Sequence, residues 1–431
     1  VRDFEDMKLG CFWEKLRFCC KKQCYILFGR IMEYRHEVCV RRLQKENQVT
    51  VVFFAMCLSM WRYQSLYERM MQNRHFRVYI VLAPCISFTD EQQRKDIQVL
   101  RDYFKKHGVC YIDYDFASER CIDIRKDLRP DILFYPQPYK SLFRPEYDSA
   151  NFYDKLLCYY PYAFWTVLGE WSYNMAFHNF AWKLYYSTEL HRQDAIQLSF
   201  NRGRNVVVVG YPNADIFLNE PPIDVWKPQK SKKKRLIWAP HFTISQERSF
   251  VCHSNFLWMA DLMLDIAFRY SDCLQLAFKP HPRLLTELYL HPEWGKERAD
   301  AYYSTWHTLE NTQLDEDEFK DLFMTSDAMI HDCGSFAVEY HYSLKPVMYV
   351  LQDKQAYTDT LSQFGRKAIE AHYIGKCQDD IINFIKDIVL DGQDVMLSMR
   401  QKFYQEYLLP PNGKQVADNT IDDLLKSLGR I

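Results

Sequence analysis

Three short polar turns hold most of the side chains in this sequence that could bind or polarise charged oxygen. "WAPHFT" places His241 and Thr243 after one apolar run, "KPHPR" places Lys279, His281 and Arg283 after a second, and "HDCGS" places Asp332, Gly334 and Ser335 after a third. Imidazole, ammonium, guanidinium and hydroxyl groups are the donors that phosphate oxygens need. Gly334 permits close backbone approach and Ser335 supplies a hydroxyl and a cap. A helix from Phe336 to Leu344 would aim its positive end at the same point. Singly, each turn also reads as a surface loop or an ordinary helix cap. Jointly they point to a phosphate or diphosphate site.

A second constellation lies upstream in "YYPYAFW…YNMAFHNFAWK", residues 159–183, where aromatic side chains surround His178 and Asn179 and Lys183 follow it. Desolvation in such surroundings would keep the imidazole neutral and able to accept a proton near pH 7. The same pattern fits a core histidine with a satisfied hydrogen bond, and composition alone does not separate the two.

The elements that must position these groups follow a parallel-sheet rhythm, apolar runs alternating with helix-period segments. Strands are expected at 50–57, 76–83, 109–114, 131–135, 156–162, 182–187 and 205–212, with helices at 61–71 and 90–106. "NEPPIDVWKPQKSKKKR", residues 219–235, has linker chemistry. The rhythm then restarts with strands at 236–240, 274–280, 301–304, 327–330 and 346–350 and a helix at 251–270. Helices at 378–427 either complete the second domain or return to the first. The expected organisation is a helical segment over 1–47, a Rossmann-like domain over 48–220, a linker over 221–234 and a second Rossmann-like domain over 235–431. Each polar turn then falls at the carboxyl end of a strand, where open α/β sheets bind ligands.

Residues 9–34 carry Leu9, Phe12, Trp13, Leu16, Cys20, Cys24, Leu27, Ile31 and Tyr34 at helical spacing. Between residues 8 and 45, ten Lys/Arg face three Glu. This amphipathic helix suits an anionic membrane surface or packing on protein equally well.

The bulk numbers exclude several classes. A chain of 431 residues with 48% hydrophobic side chains supports two cores. Its 55 Lys+Arg against 56 Asp+Glu give no general attraction to nucleic acid. The 14 cysteines lack paired zinc-site spacing, and Cys19, Cys20 and Cys24 form their one cluster, which fits a reducing cytoplasm. No run approaches the roughly 18 apolar residues of a spanning helix.

"WAP.FT", "KPHPRL" and "SDAMIHDCGSFAVEYHYSLKPVMYV", in that order after a Pro/Lys linker, resemble the CDP-glycerol glycerophosphotransferases of bacterial teichoic acid and capsule synthesis. "GYPNAD", residues 210–215, is similar to the family's GxPxxD segment. The resemblance implies an α/β, GT-B-like fold, two Rossmann-like domains facing a cleft, with the N-terminal domain receiving the acceptor. It implies transfer of glycerol phosphate from CDP-glycerol to a hydroxyl of a cell-surface polysaccharide or lipid-linked acceptor, releasing CMP. The family's KxHP histidine corresponds to His281, its TDYSS turn to Asp332, Gly334 and Ser335, and its polar strand start to Asp327. With His241, Thr243, Lys279 and Arg283 these are expected around the donor. The family's WHGTP motif has no counterpart, and "FHNFAWK" in a similar place makes His178 the candidate base, beside His281 as second catalytic residue. The resemblance calls for no resident cofactor, while Mg²⁺ stays compatible. It places the enzyme in the cytoplasm, where the N-terminal helix could meet the inner membrane face. Ribitol phosphate as the moved group, a GT-B glycosyltransferase using a nucleotide sugar, and a non-catalytic capsule-assembly member stay open as alternatives.

Overall fold

Among the described residues, twelve short strands, the inner ones largely buried on both faces, build two six-stranded sheets, and every pair within them is parallel. The computed structural model describes residues 2–245, 254–316, 319–351 and 359–431, with side chains from Phe18 onward. One unit comprises Val1–Ala163, Gly169–Asp215 and Pro410–Ile431; the other comprises Phe164–Leu168 and Ile216–Leu409.

The first sheet contains β1 (Val49–Ala55), β2 (Phe76–Leu82), β3 (Ile132–Tyr135), β4 (Leu156–Tyr159), β5 (Lys183–Tyr186) and β6 (Val206–Val208), in the order β2-β1-β3-β4-β5-β6. Runs such as "VTVVFFA" form strands because β-branched and aromatic side chains fill both faces of a sheet covered by helices. Phe53 stacks on Phe134 at 4.7 Å in this core. The strand expected at 109–114 shrinks to one bridge, Ile112 to Val81. Helix Asp90–Lys106 is capped by Thr89, whose hydroxyl accepts Gln92 N–H at 3.3 Å, and buries Ile97, Leu100 and Phe104.

The last 22 residues belong to this unit. Asp215, the acid of "GYPNAD", accepts the N–H groups of Val416 and Ala417 at 2.7 and 3.0 Å and so caps helix Val416–Ser427 from 201 residues away. Gly210 sits at φ +104°, and a Cβ there would approach Val416 Cγ2 to 2.9 Å. Lys183 and Tyr185 reach Asp423 at 3.0 Å each, and the Tyr160 and Thr420 hydroxyls bond to each other. In this chain the "GYPNAD" turn seats the C-terminal helix.

The second sheet contains β7 (Lys234–Ala239), β8 (Leu274–Phe278), β9 (Thr312–Leu314), β10 (Ala328–His331), β11 (Val347–Val350) and β12 (Tyr373–Gly375), in the order β12-β11-β10-β7-β8-β9. The chain runs from β7 to β9 on one side, then restarts at β10 on the other side of β7. That reversal makes the gap beyond the ends of β7 and β10 the topological switch point. The strand expected at 301–304 is instead part of helix Gly295–Thr308, because Ala299, Tyr302, Tyr303 and Trp306 recur at helical spacing and bury one face. The helix expected at 251–270 runs Phe256–Arg269, and residues 251–253 lie outside the described residues. Trp238 centres the core, 5.0 Å from Phe278 and 5.7 Å from both Phe256 and Trp306.

A short strap from the aromatic region of the sequence, Phe164–Leu168, packs into this unit. Thr166 C=O accepts Ser362 N–H at 2.8 Å, Val167 bridges Leu361, and a Cβ on Gly365 would lie 2.2 Å from Thr166 O.

Candidate active site

The turn after β7 and the turn after β10 meet at the switch point through one carboxylate. Asp332 accepts the backbone N–H of His241 at 2.6 Å, the backbone N–H of Asn255 at 2.5 Å and the Asn255 amide at 3.2 Å. It is 2% exposed, and burial, opposed by those hydrogen bonds, raises its pKa to about 6. Asp332 therefore braces the site from inside, whereas the resemblance implied a donor contact.

His281 completes the cluster from the turn after β8, its N–H donating to Pro240 C=O at 3.0 Å. Its ring lies 5.0 Å from that of His241 and 4.4 Å from that of Phe242. His281 Nδ1 accepts the backbone N–H of Arg283 at 3.1 Å, so a neutral ring carries its proton on Nε2 and offers it as a donor. Burial first, and the Arg283 charge second, lower its pKa to about 4, which keeps it neutral at physiological pH. The Arg283 guanidinium lies over the Phe242 ring at 4.2 Å and reaches Glu287 at 3.2 Å, with 57% of the side chain exposed. Thr243 Oγ1 and His241 Nδ1 are 3.0 Å apart. The structure thus brings together His241, Thr243, His281 and Arg283, polar donors around an aromatic shelf.

Three other expected donor residues sit differently. Lys279 is buried and ion-paired with Asp315 at 2.8 Å, so its ammonium supports the turn from below. Asp327 precedes β10, at the end of the strand opposite Asp332, where it accepts Arg235 N–H at 2.9 Å and pairs with Lys234 at 3.4 Å. Four residues of extended chain, about 13 Å, separate it from the turn. Ser335 is already helical at φ −69°, ψ −40° and makes no side-chain cap bond. The helix expected over 336–344 is a single α turn, Phe336–Glu339, continued as 3₁₀ over Tyr340–Ser343 and stopped by Leu344 at φ +58°. With one turn of aligned peptides, little dipole faces the site. Gly334 remains at the turn, where an added Cβ would meet Thr166 Oγ1 at 3.8 Å.

His331, just before that turn, faces inward. Its Nδ1 accepts Cys333 N–H at 3.2 Å and its Nε2 lies 3.2 Å from His372 Nε2, while His372 Nδ1 bonds Ala368 C=O at 2.8 Å. This is a neutral buried relay, and burial holds both rings well below the usual imidazole range.

His178 lies in the first unit and is 1% exposed. Its Nδ1 accepts Met175 N–H at 3.3 Å, which leaves the proton on Nε2. Its carbonyl accepts the amides of Asn201 and Asn205 at 3.2 and 2.9 Å, in a knot where Asn179 Oδ1 also takes Asn201 N–H at 2.8 Å. Burial lowers its pKa to about 3. A ring so enclosed and protonated on its far nitrogen has no lone pair for an acceptor hydroxyl; it belongs to the core that the asparagines tie together.

Local pattern did not reveal Asn255, Asp315 or Thr166. Asp315 had one weak signal, an acid directly after the apolar end of β9.

Two Rossmann-like units, one carrying a donor-rich cluster at its switch point, define a GT-B-like α/β fold. The chain belongs to the CDP-glycerol:poly(glycerophosphate) glycerophosphotransferase family, whose model matches residues 172–419. It is accordingly a glycerophosphotransferase-type enzyme. The fold is similar to that of a variant of the wall teichoic acid polymerase TagF, with a TM-score of 0.59 at 12% identity over 94% of this chain and 99% of that one. A TagF structure soaked with CDPG gives 0.57 at 12% identity, over 95% and 97%. A putative UDP-N-acetylglucosamine 2-epimerase from Listeria monocytogenes gives 0.58 at 14% identity, over 90% and 98%. No curated protein matches the chain by sequence.

Proposed function

We propose that the chain transfers glycerol phosphate, or a closely related alditol phosphate, from a CDP-activated donor to a hydroxyl of a cell-surface polysaccharide or lipid-linked acceptor, and that it works on the cytoplasmic side. The acceptor oxygen bonds to the β-phosphorus, the bond from that phosphorus to the bridging oxygen breaks, CMP departs with the electron pair, and the hydroxyl proton passes to water. Charge on the phosphate oxygens rises in the transition state, so the useful groups are preorganised donors.

The observation that carries this reading is the approach of the His241 and His281 rings to 5.0 Å at the switch point, with the Arg283 guanidinium stacked alongside on Phe242. We assign His281 Nε2–H and Arg283 to the diphosphate oxygens, with His241 and Thr243 beside them and Gly334 and Ser335 lining the turn. Asp332 and Lys279 hold these turns in place. The reading requires no resident cofactor; Mg²⁺ would enter as the donor's counter-ion.

The test is a thermal-shift and CMP-release comparison of CDP-glycerol, CDP-ribitol and UDP-sugars on wild type, His281→Asn and Arg283→Gln. Stabilisation and turnover by a CDP-alditol, reduced in both variants, support the assignment. A protein stabilised by UDP-sugars alone, or variants turning over at the wild-type rate, would refute it.

A further inference from the structure

The segment "FHNFAWK", residues 177–183, takes no part in the chemistry assigned to the second unit, yet it lines a cleft in the first. The roof is the helix Arg2–Leu43, which presents Gly29, Met32, His36 and Val40 at helical spacing. Tyr25, 5.2 Å from the Phe180 ring and 5.4 Å from that of Phe200, seats this helix, and ion pairs from Arg42 to Asp131 at 2.6 Å and from Glu33 to Arg204 at 3.1 Å fix its rotation. The floor is Asn179, Ala181, Trp182 and Lys183, which lead into β5, with Arg204 and Asn205, which lead into β6. The cleft therefore sits at the amino ends of these strands. Parallel α/β sheets take their usual ligands at the carboxyl ends, so this is a separate place.

Its volume is about 540 Å³, within the roughly 300–1,000 Å³ of small-molecule sites. His36 is 7% exposed, and its Nε2 has no hydrogen-bond partner among the described residues. A buried polar atom left unmet is costly, and a ligand hydroxyl would relieve it. Burial lowers the His36 pKa to about 4, so the ring is neutral and carries one donor and one acceptor.

Charge narrows the ligand. Each cation of the lining already has an acid: Arg204 has Glu33, Arg41 has Glu37 at 3.2 Å, and Lys183 has Asp423 at 3.0 Å. An anion would have to break these pairs, and a cation would compete within them. A chain of neutral hydroxyl groups does neither, since each hydroxyl both donates and accepts. The His36 imidazole and the Glu33–Arg204 pair offer both kinds of partner. Half-buried Trp182 adds an aromatic surface for the C–H groups of a sugar ring.

We propose that this cleft is a binding site for a neutral oligosaccharide chain, seated between His36, Trp182 and the Glu33–Arg204 pair. Held there, a polysaccharide acceptor would stay on the enzyme between transfers; that use rests on the reaction proposed above, whereas occupancy of the cleft does not.

The full chain is applied to an array of neutral oligosaccharides of hexoses and N-acetylhexosamines, with phosphorylated counterparts alongside. Wild type should bind neutral members. His36→Leu, which keeps an apolar side chain but removes both ring nitrogens, should weaken binding about tenfold, the loss of one buried hydrogen bond. Val40→Trp, which fills the cleft from the helix without removing a polar group, should abolish it. His281→Asn should bind the array as wild type does, so a failure of the transfer reading and a failure of the cleft are told apart. Thermal melts check folding, and should His36→Leu not fold, Val40→Trp decides. Wild type bound to no neutral oligosaccharide, binding confined to phosphorylated members, a folded cleft variant that binds like wild type, or binding lost in His281→Asn overturns the proposal.

Discussion

The backbone N–H of His241 donates to Asp332 Oδ1 at 2.6 Å, so one buried carboxylate ties the turn after β7 to the turn after β10. The other oxygen takes Asn255 N–H at 2.5 Å, which brings the start of the helix Phe256–Arg269 into the same brace. The donor-rich cluster owes its shape to an acid that is itself hidden from solvent.

Asp332→Asn should weaken the fold and the site together. An amide in place of the carboxylate turns a donor toward the N–H groups of His241 or Asn255 and leaves a buried donor unmet, a cost of about 1–3 kcal/mol. Urea denaturation should show a lower midpoint, and turnover should fall with it. An unchanged midpoint would mean that the brace contributes little.

The same residue makes a signed prediction with pH. Burial raises the Asp332 pKa from 3.8 to about 6 in the folded protein, so between those values the folded state binds more protons than the unfolded one. Its contribution to stability is fully present below the unfolded pKa and is lost as pH rises through about 6, by roughly 2–3 kcal/mol in all. The stability difference between wild type and Asp332→Asn, followed across this range, should shrink as pH increases.

His281→Asn should lower CMP release by about a hundredfold, the loss typical of one well-aimed transition-state donor, with little change in melting temperature. Since burial and Arg283 hold the His281 pKa near 4, the wild-type rate should show no limb near pH 6.5 from this group. A steep limb there that disappears in the variant would mean that the ring works as a base.

Removing Asp315 should cost more than removing its whole ion pair. Lys279 and Asp315 are both buried, 2.8 Å apart, and Asp315→Ala removes a buried counter-charge from the ammonium at a cost of about 3–5 kcal/mol. Lys279→Met combined with Asp315→Leu should recover much of that loss, which a double-mutant cycle in urea would reveal.

Asp215→Ala should release the C-terminal helix. Loss of two N–H acceptors at its first turn costs about 1–2 kcal/mol, and hydrogen exchange should quicken first over Val416–Ser427. Gly210→Ala should act in the same direction through its positive φ and the short approach to Val416.

Much of this architecture was legible from local pattern. Apolar runs bounded by turns located ten of the twelve strands, and strand-end logic picked out His241, Thr243, His281 and Arg283, because each stands within a few residues of the strand that presents it. Periodicity misread residues 301–304, where "AYYS" alternates like a strand but continues a helical face through Trp306. The apolar pattern of the N-terminal helix was visible in the sequence, whereas the packing of Tyr25 on Phe180 and Phe200 was not.

What the amino-acid order determined by itself is the alternation of strands and helices and the chemical types gathered at strand ends, since both depend on neighbours along the chain. Which of those groups turn outward was decided by partners far away: Asp332 meets His241 across 91 residues, Lys279 meets Asp315 across 36 and Asp215 meets Val416 across 201. A carboxylate or imidazole looks the same in sequence whether it meets solvent or a buried N–H. Desolvation and hydrogen-bond geometry, which only the packed fold supplies, made a brace of Asp332, a core residue of His178 and an outward donor of His281.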